Sequence, residues 1–389
     1  MPVGELKNRL YTAALPVLGK QCRWKAAFCA QADDETTRAL TRLLKRHHVV
    51  GSAIQVIRGG KAEECYTAGN ARLTPQAMPV QQDTIFRTAS VAKMAAALLV
   101  FRMQTLGMLD VDEDISSFLG YSVRNLAHPS TAITLGMLLS HTSSIVDFPG
   151  YFSAFAAPVS LKLLLSDCAA FSTEVQGARF QYSNFAAGMV GCLLEARFER
   201  SFEALAQEYL FEPLGATASF DLTALAEERI ADCYRVLPSS REPAFDAAAR
   251  HRQAKPQNEP DPEYHYVLAS GNLFITAKSM SKLLLPCLQT DHPGFLNERS
   301  IRQMKTATGR WPQEAVRMQH GMGLLELRDE QVSPHTLYGH QGFAYGAVNG
   351  CFFTDAGDGF VSLNNGASEA RVGHLSLLNR DLIRLFLNQ

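Results

Sequence analysis

Residues 84–103 read TIFRTASVAKMAAALLVFRM, a run that contains no glycine or proline. After Arg87 it is dominated by Ala, Leu, Met and Val, which predicts one helix that ends at Gly107. Apolar residues cover almost every face of this helix, so we expect it to be buried rather than amphipathic. Ser90 and Lys93 stand out in it because residues three apart lie on one face of a helix. A nucleophile and a base could therefore meet at its N-terminal end.

This pair has the chemistry of a nucleophile and its activator. A serine hydroxyl is a weak nucleophile until a neighbour removes its proton, and a lysine can do so only when burial or nearby positive charge keeps it neutral. The helix N-terminus would also stabilise an oxyanion on a carbonyl attacked by Ser90. Ser-x-x-Lys alone is a weak motif, because Ser279-Met280-Ser281-Lys282 repeats it on a predicted surface helix. In isolation, a helix cap followed by a solvated lysine is the more common arrangement.

The composition of the 389-residue chain predicts a large core and disfavours nucleic-acid binding. With 47% hydrophobic residues, the chain is long enough for a large core and for two lobes or domains. Its formal net charge is -1, and no basic stripe with interleaved aromatic residues occurs. Nucleic acid is therefore not expected as a partner.

The cysteines and histidines give no sign of a metal centre. The eight cysteines are scattered, mostly within apolar runs, and none forms a Cys-x-x-Cys pair. This pattern is typical of reduced, buried thiols and not of a disulfide framework or a zinc site. The adjacent pair His47 and His48 ends a basic helix and is predicted to be solvated rather than metal-bound. The sequence therefore predicts no metal site and implies no cofactor.

The first residues make a poor signal peptide. The apolar run that follows Lys7 and Arg9 is short, contains Pro16 and is soon interrupted by basic residues. No later stretch is long and uncharged enough to span a membrane. A cytoplasmic location fits these features and the unpaired cysteines, and export by a route that the sequence does not show is the alternative.

Strands are predicted at both ends of the sequence, with a helical insert between them. An opening helix is followed by a hairpin whose strands cover 49–57 and 62–68. Residues 109–250 read mainly as helices and loops. The returning elements are strands over 336–342, 345–354 and 360–363 and an amphipathic helix over 372–387.

These patterns predict three parts of the chain. Residues 1–35 form an N-terminal extension. An α/β lobe is discontinuous and combines residues 36–85 with residues 255–389. Residues 86–254 form a mainly helical lobe, and the polar, proline-bearing stretch 250–262 predicts a loop between the two lobes.

A second candidate segment, Phe180-Gln181-Tyr182-Ser183-Asn184-Phe185, lies in the helical insert. A tyrosine beside a lysine and a serine can relay protons, because an adjacent ammonium stabilises its phenolate. Asn184 projects from the same turn and could hold Lys93 and hydrogen-bond a substrate amide. Taken alone, Tyr-x-Asn is more often a loop with an aromatic anchor.

The third segment, Tyr338-Gly339-His340-Gln341-Gly342-Phe343, ends the first returning strand. Gly342 would let a substrate backbone lie against the strand, and the N–H of Phe343 could be a second oxyanion donor beside that of Ser90. His340 would supply a proton or a positive end at the pocket wall. His292-Pro293-Gly294 has the same letters, but its proline and setting indicate a loop.

Together, Ser90-x-x-Lys93, Tyr182-x-Asn184 and His340-x-Gly342 resemble, in order and separation, the serine β-lactamase and penicillin-binding group. The branch is that of the class C β-lactamases, D-alanyl-D-alanine carboxypeptidases and family VIII esterases. The resemblance covers roughly residues 36–389. Other segments that carry it are 83–87, 106–110, 133–143 and 339–365.

The resemblance implies an α+β fold of the β-lactamase/transpeptidase type. An antiparallel sheet would be flanked by helices and joined to a mainly helical lobe, with the active site in the cleft between them. By carry-over, Ser90 would be the acylated nucleophile, Lys93 its activator, and Tyr182 the base and proton shuttle.

The same resemblance indicates which residues would bind the substrate. It gives substrate binding to Asn184, His340, Gly342 and Phe343, and the oxyanion hole to the backbone N–H groups of Ser90 and Phe343. His340 stands where β-lactamases of this branch usually have the lysine of Lys-Thr-Gly, and a neutral histidine anchors a carboxylate less well. Gln341 replaces the usual small hydroxyl residue. Weak or no β-lactamase activity is therefore expected, while peptidases and esterases with His-x-Gly match closely.

The predicted function is that of a serine hydrolase that acylates Ser90 with an ester or amide carbonyl, D-amino-acid peptides included. Its partner would be a small-molecule or peptide substrate, and the oligomeric state is left open. A true β-lactamase or a penicillin-binding DD-peptidase is the alternative. An idle peptide-binding or assembly protein with this fold is the alternative from another class. The absence of Gly-x-Ser-x-Gly disfavours an α/β-hydrolase.

Overall fold

A computed structural model describes the chain over residues 8, 10–14, 26–28, 34–237, 240–288, 294–309 and 315–388. Most of the predicted extension, residues 1–35, lies outside the described residues. The same holds for Cys22, Cys29 and the pair His292-Pro293.

One antiparallel sheet organises the described chain. The strands are β1 Ala26–Phe28, β2 Gly51–Arg58, β3 Lys61–Arg72, β4 Met78–Pro79, β5 Phe86–Arg87, β6 Ala218–Ser219, β7 Cys233–Val236, β8 Arg241–Phe245, β9 Phe274–Ile275, β10 Met318–His320, β11 Leu325–Leu327, β12 Leu337–Ala344, β13 Ala347–Thr354, β14 Gly359–Asn364, β15 Arg371–Val372 and β16 Leu375–Ser376. Nine of them, within the described ranges, form the sheet β1-β3-β2-β14-β13-β12-β11-β10, with β4 paired to β3. Strands from the two ends of the sequence thus pair with each other, β2 with β14.

Helices cover both faces of this sheet and fill the insert. They are Asp34–Arg46, Ala92–Thr105, Ile115–Leu119, Leu135–Leu139, Pro149–Ser153, Leu161–Leu164, Asn184–Phe198, Phe202–Ala206, Ala247–Gln253, Leu268–Gly271, Ala277–Leu288, Glu298–Lys305 and Leu377–Phe386. The predicted α+β architecture is therefore present, with strands from both ends of the sequence. Among the described residues, no helix has the length and apolar character needed to cross a membrane.

Strand β2 is buried on both faces, because its side chains alternate between two hydrophobic cores. Ala53 and Ile57 belong to the larger core, which also contains the helix Ala92–Thr105. Ile54 and Val56 belong to the smaller core, where the first and last helices of the described chain pack against the other face. A sheet covered on both sides gives a rigid base for any site at its edge.

The helix after Ser90 is buried all round, as predicted. Within Ala92–Thr105 every residue except Arg102 and Thr105 is buried. Gly107, just beyond the helix end, has a positive φ of 73°. Glycine adopts this conformation without a steric penalty, which explains why the helix ends there.

The prediction that His47 and His48 are solvated is wrong. Both residues are 5% exposed, and His47 Nε2 lies 2.8 Å from Asp381 Oδ2. The helices Asp34–Arg46 and Leu377–Phe386 pack together on the sheet and enclose the pair. No group of metal-ligating side chains is found among the described residues.

Two other predicted elements differ in the structure. The closing helix begins at Leu377 rather than at residue 372, because β15 and β16 form a small hairpin first and Ser376 caps the helix. The predicted helical insert also contains the strand pair β7 and β8. The boundaries of the three predicted parts stay a prediction.

The insert packs closely enough that one glycine has no room for a side chain. A Cβ on Gly188 would lie 1.7 Å from the carbonyl oxygen of Tyr266, whereas a Cβ on Gly191 would lie 3.5 Å from the Phe202 ring. Both glycines are in the helix Asn184–Phe198, which begins with a residue of the second candidate segment. Backbone contact at Gly188 thus fixes the position of that segment.

Gly188→Ala is expected to lower the thermal unfolding midpoint, because overpacking of this kind costs about 1–3 kcal/mol. Gly191→Ala is the matched control in the same helix. It is expected to keep or raise the midpoint, since alanine favours a helix over glycine by about 1 kcal/mol. Circular dichroism during heating measures both variants. Equal midpoints would contradict the close packing at Gly188.

Candidate active site

Ser90 lies in a 3₁₀ turn that leads directly into the helix Ala92–Thr105. Ala89, just before it, has a φ of 52°, which is an uncommon conformation for a residue with a side chain. Thr88 holds the turn, because its backbone N donates to Leu273 O at 2.9 Å and its Oγ1 donates to the same oxygen at 3.1 Å. The strained turn places Ser90 directly before the helix.

Lys93 is anchored by three acceptors. Its Nζ lies 3.2 Å from Ser90 Oγ, 2.9 Å from Asn184 Oδ1 and 2.6 Å from Ser270 O. An ammonium has three hydrogens, so each of them has a partner. The side chain is 5% exposed. Lys93 is therefore fixed in direction and held against Ser90.

Tyr182 also contacts Ser90. Its hydroxyl lies 2.9 Å from Ser90 Oγ, and Lys93 Nζ lies 5.1 Å from the centre of its ring. The ring of His141 packs at 4.4 Å between centroids and supports the tyrosine. Ser90 Oγ thus lies within hydrogen-bond distance of both a lysine and a tyrosine.

Asp147 holds the loop that carries Tyr182 and Asn184, although it belongs to none of the three sequence motifs. One of its carboxylate oxygens accepts from Ser183 Oγ at 2.9 Å and from Phe185 N at 2.8 Å. The other accepts from Asn184 Nδ2 at 2.9 Å, which turns the amide oxygen of Asn184 towards Lys93. The one available signal was a single carboxylate within the apolar run 145–148.

Three buried histidines form the wall behind Tyr182. The ring centroids of His141 and His320 are 5.8 Å apart, and those of His320 and His340 are 5.5 Å apart. Burial lowers the pKa of all three, and the nearby charge of Lys93 contributes to each shift. This wall is therefore neutral at pH 7. His141 and His320 were not assigned from the sequence, because neither belongs to a catalytic motif.

His340 takes a defined tautomer. Its Nδ1 lies 2.7 Å from the carbonyl oxygen of Gln341, which can only accept, so Nδ1 carries the proton. Burial lowers the pKa of His340 to about 4, and Lys93 adds to the effect. The neutral imidazole is thus a poor electrostatic anchor for a carboxylate.

Gly342 lets β12 pass against the Ser90 turn. A Cβ there would lie 2.6 Å from Thr88 O and 2.8 Å from Ser90 N. β11 pairs with β12 only as far as Gly339, so within the described strands the later residues of β12 have an edge open on that side. The backbone of Phe343 follows on this edge. The oxyanion role of the Ser90 and Phe343 N–H groups stays a prediction.

A cavity of about 370 Å³ opens in front of Ser90. Of the predicted site residues, Lys93 and Gly342 are not part of its lining. The other five predicted residues line it: Ser90, Tyr182, Asn184, His340 and Phe343. The structure therefore gathers three segments that are far apart in the sequence around one space.

The repeated motif at Ser279 and Lys282 has no such geometry. Ser279 Oγ accepts from Thr217 N at 2.8 Å, while Lys282 Nζ donates to Gly215 O. Ser279 is 4% exposed, so the predicted surface helix is in fact partly buried against the sheet. The two side chains have separate structural partners.

The family model for beta-lactamase matches residues 36–382. The chain belongs to the beta-lactamase family. The match contains the three motifs and, among the described strands of the central sheet, every strand except β1. This family assignment agrees with the resemblance seen in the sequence.

Two curated relatives share partial similarity. Penicillin-binding protein 4 of Amycolatopsis lactamdurans is 30% identical over 183 residues, which are 46% of this chain and 47% of the relative. Esterase EstB of Burkholderia gladioli is 28% identical over 190 residues, which are 44% and 47% of the two chains. The chain therefore spans about half the length of the curated relatives it matches.

Among solved structures, the hydrolase EstCE1, described as having promiscuous acyltransferase activity, superposes with a TM-score of 0.70. The identity is 21%, and the superposition covers 90% of this chain and 97% of that one. Similarity at this level shows the fold. The predicted β-lactamase/transpeptidase-like fold is confirmed.

The neutral histidine wall predicts that stability is lost in acid. The pKa of His340 is about 4 in the folded protein, against 6.5 for an ordinary histidine. Between these values the unfolded chain binds a proton that the folded protein does not, so the free energy of unfolding falls as pH drops from 7 to 4. His340 alone accounts for about 3 kcal/mol.

Urea denaturation at pH 7.5 and at pH 4.5 measures this loss. His340→Gln cannot titrate, so the loss between the two pH values should be smaller in this variant than in the wild type. An equal loss in both proteins would contradict the low pKa of His340.

Proposed function

We propose that this protein is a serine hydrolase that acts through an acyl-enzyme on Ser90. The observation that carries the proposal is the position of Ser90 Oγ, 3.2 Å from Lys93 Nζ and 2.9 Å from Tyr182 Oη, in a cavity. A nucleophile beside two groups that can move or stabilise a proton is the arrangement that covalent catalysis requires.

Tyr182 is the better proton acceptor in this arrangement. A charged ammonium has no lone pair, so of the two neighbours of Ser90 only the tyrosine oxygen can accept while Lys93 is charged. Tyr182 accepts the proton of Ser90 as a phenolate, which the ammonium of Lys93, 5.1 Å from the centre of its ring, stabilises. The transfer leaves a neutral hydroxyl on Tyr182, and the phenolate reforms when that proton passes to the leaving group. We infer that Lys93 activates, and that Tyr182 takes the proton from Ser90 and returns it to the leaving group.

The acylation step balances in atoms and charge. Ser90 Oγ forms a bond to the substrate carbonyl carbon, and the N–H groups of Ser90 and Phe343 donate to the oxyanion. The carbonyl then reforms, and the alcohol or amine leaves with the proton from Tyr182. A water molecule repeats the sequence and releases the acid. Asn184, held by Asp147, positions the substrate and Lys93.

The wall at His340 favours an uncharged acyl group over a β-lactam carboxylate, while the one charged side chain that is part of the described lining, Arg371, lies with its Cζ 5.7 Å from the ring centre of Phe343. His340 is neutral at pH 7, and Phe180, His320 and Phe343 add aromatic surface to the lining. Esters and amides of D-amino-acid peptides fit such a wall, and the similarity to an esterase and to a penicillin-binding protein supports both. We therefore propose weak or no β-lactamase activity.

The test is the mass of the intact protein after brief exposure to a short-chain aryl ester, a D-alanyl-D-alanine peptide or a penicillin. The wild type should gain the mass of an acyl group, or release product, with the ester or the peptide. Ser90→Ala should do neither. Ser279→Ala is the matched control, because it removes the serine of the repeated motif and should react like the wild type.

The compound that reacts decides between the alternatives. A long-lived penicillin adduct would favour a DD-peptidase, and rapid penicillin turnover would favour a true β-lactamase. Absence of reaction with all three compounds would contradict the proposal and favour a binding or assembly protein with this fold. An adduct that persists in Ser90→Ala would contradict the role of Ser90.

Asp147→Asn should slow the reaction without abolishing it. An amide replaces one acceptor oxygen with a donor, which leaves a partner in Ser183, Asn184 or Phe185 unsatisfied. A buried group without a partner costs about 1–3 kcal/mol, so we expect an acylation rate roughly 10- to 100-fold lower. Asp167→Asn is the control, because asparagine caps a helical turn as well as aspartate does. Equal rates for the two variants would contradict this role of Asp147.

A further inference from the structure

A second cavity, of about 420 Å³, lies next to the strand that leads to Ser90. It shares no lining residue with the cavity in front of Ser90. Its charged lining residues are Arg87, Arg250, Lys255 and Asp221. Apolar and aromatic residues such as Phe220, Phe245 and Phe274 form much of the remaining surface.

Arg87 lines this cavity with part of its guanidinium unused. Its Nη2 donates to Asn272 Oδ1 at 2.7 Å, and its Cζ lies 4.8 Å from the ring centre of Tyr345. Its Nη1 is buried and has no hydrogen-bond partner in the part of the chain that is described. Burial lowers the pKa of Arg87. Burying a guanidinium that has an unpaired N–H donor costs free energy, unless an anion accepts a hydrogen bond from that donor.

The cavity carries an excess of positive charge. Within the described ranges, no carboxylate forms an ion pair with Arg87, Arg250 or Lys255. The carboxylate of Asp221 is occupied, because Oδ1 accepts from the backbone and hydroxyl of Thr223 and Oδ2 accepts from Gln257 N at 2.7 Å. Three cations therefore face a single carboxylate that already has partners.

Gln257 supplies a second unused polar atom in the same lining. Its Oε1 is buried and lacks a donor among the described residues, while its Nε2 donates to Lys255 O at 3.0 Å. A ligand that carries both an anionic group and an N–H or O–H donor would accept from Arg87 Nη1 and donate to Gln257 Oε1. The aromatic lining adds a preference for an apolar body rather than for a compact, doubly charged phosphate.

We propose that this cavity is a second binding site, for a small organic carboxylate that carries a hydrogen-bond donor and an apolar group, such as an N-acyl amino acid. The carboxylate pairs with Arg87 Nη1, and Arg250 and Lys255 supply long-range attraction. The amide N–H of the ligand donates to Gln257 Oε1. This site does not depend on the proposed reaction at Ser90.

The second site is connected to Ser90 through two short segments. Arg87 lies three residues before Ser90. Asn272, its hydrogen-bond partner, lies two residues after Ser270, whose carbonyl accepts from Lys93. An occupied site would therefore fix both the turn of Ser90 and one anchor of Lys93, and we expect the ligand to change the rate at Ser90.

Isothermal titration of the full chain with N-acetylleucine tests the site, with N-acetylleucinamide and inorganic phosphate as the other probes. The experiment uses Ser90→Ala, so that no probe can react there. We expect binding of N-acetylleucine, binding at least tenfold weaker of the neutral amide, and weaker binding of phosphate. Equal binding of the acid and the amide, or tighter binding of phosphate, would overturn the proposal.

Variants test whether N-acetylleucine binds in this cavity. The double variant Arg250→Gln with Lys255→Gln removes two positive charges and leaves the buried Arg87 unchanged. It should weaken N-acetylleucine binding at least fivefold. Arg299→Gln is the control, because Arg299 pairs with Asp110 outside the cavity lining and should bind normally. An unchanged affinity in the double variant would overturn the proposal. Loss of binding in His340→Gln alone would place the ligand in front of Ser90 and would also overturn it.

Discussion

The ammonium of Lys93 joins three separate parts of the chain, and the geometry of the site depends on it. Its three hydrogen bonds reach the turn of Ser90, the loop of Asn184 and the carbonyl of Ser270. These partners lie 3, 91 and 177 residues away. A buried lysine is costly without acceptors, so each partner is needed for stability as well as for position. The same contacts that offset the burial of the charge also bring the candidate nucleophile to it.

Close backbone packing fixes the positions of the chain segments around the Lys93 ammonium. Gly342 brings β12 within reach of Ser90, and Gly188 seats the helix that begins at Asn184. A methyl group at either position would meet backbone atoms, which cannot turn aside as a side chain can. The sheet, covered by helices on both faces, transmits these constraints to the cleft. The position of each polar group in the site therefore depends on contacts that are not themselves polar.

The two sides of the cleft differ in charge. Lys93 supplies positive charge beneath Ser90, and that charge together with burial keeps His340 neutral. The wall is neutral first because it is buried, and the charge of Lys93 adds to the effect, since a second cation there would be repelled in a medium of low polarity. A lysine in place of His340 would provide an anchor for carboxylates, whereas the histidine leaves an aromatic surface. The cavity beside Arg87 has the opposite character, with its positive charge uncompensated.

The sequence by itself determined the buried helix after Ser90, the strands that return after residue 336 and the three motifs. Each of these rests on local patterns of apolar residues, glycines or fixed spacings, which a linear reading can detect. Tertiary structure alone decided the roles of Asp147, His141 and His320, the burial of His47 against Asp381, and the cavity beside Arg87. These features arise where residues between 36 and 334 positions apart meet, and the charge or exposure of such residues depends on neighbours that no local pattern specifies. The candidate nucleophile could therefore be predicted, while the residues that support it and the polarity of its pocket could not.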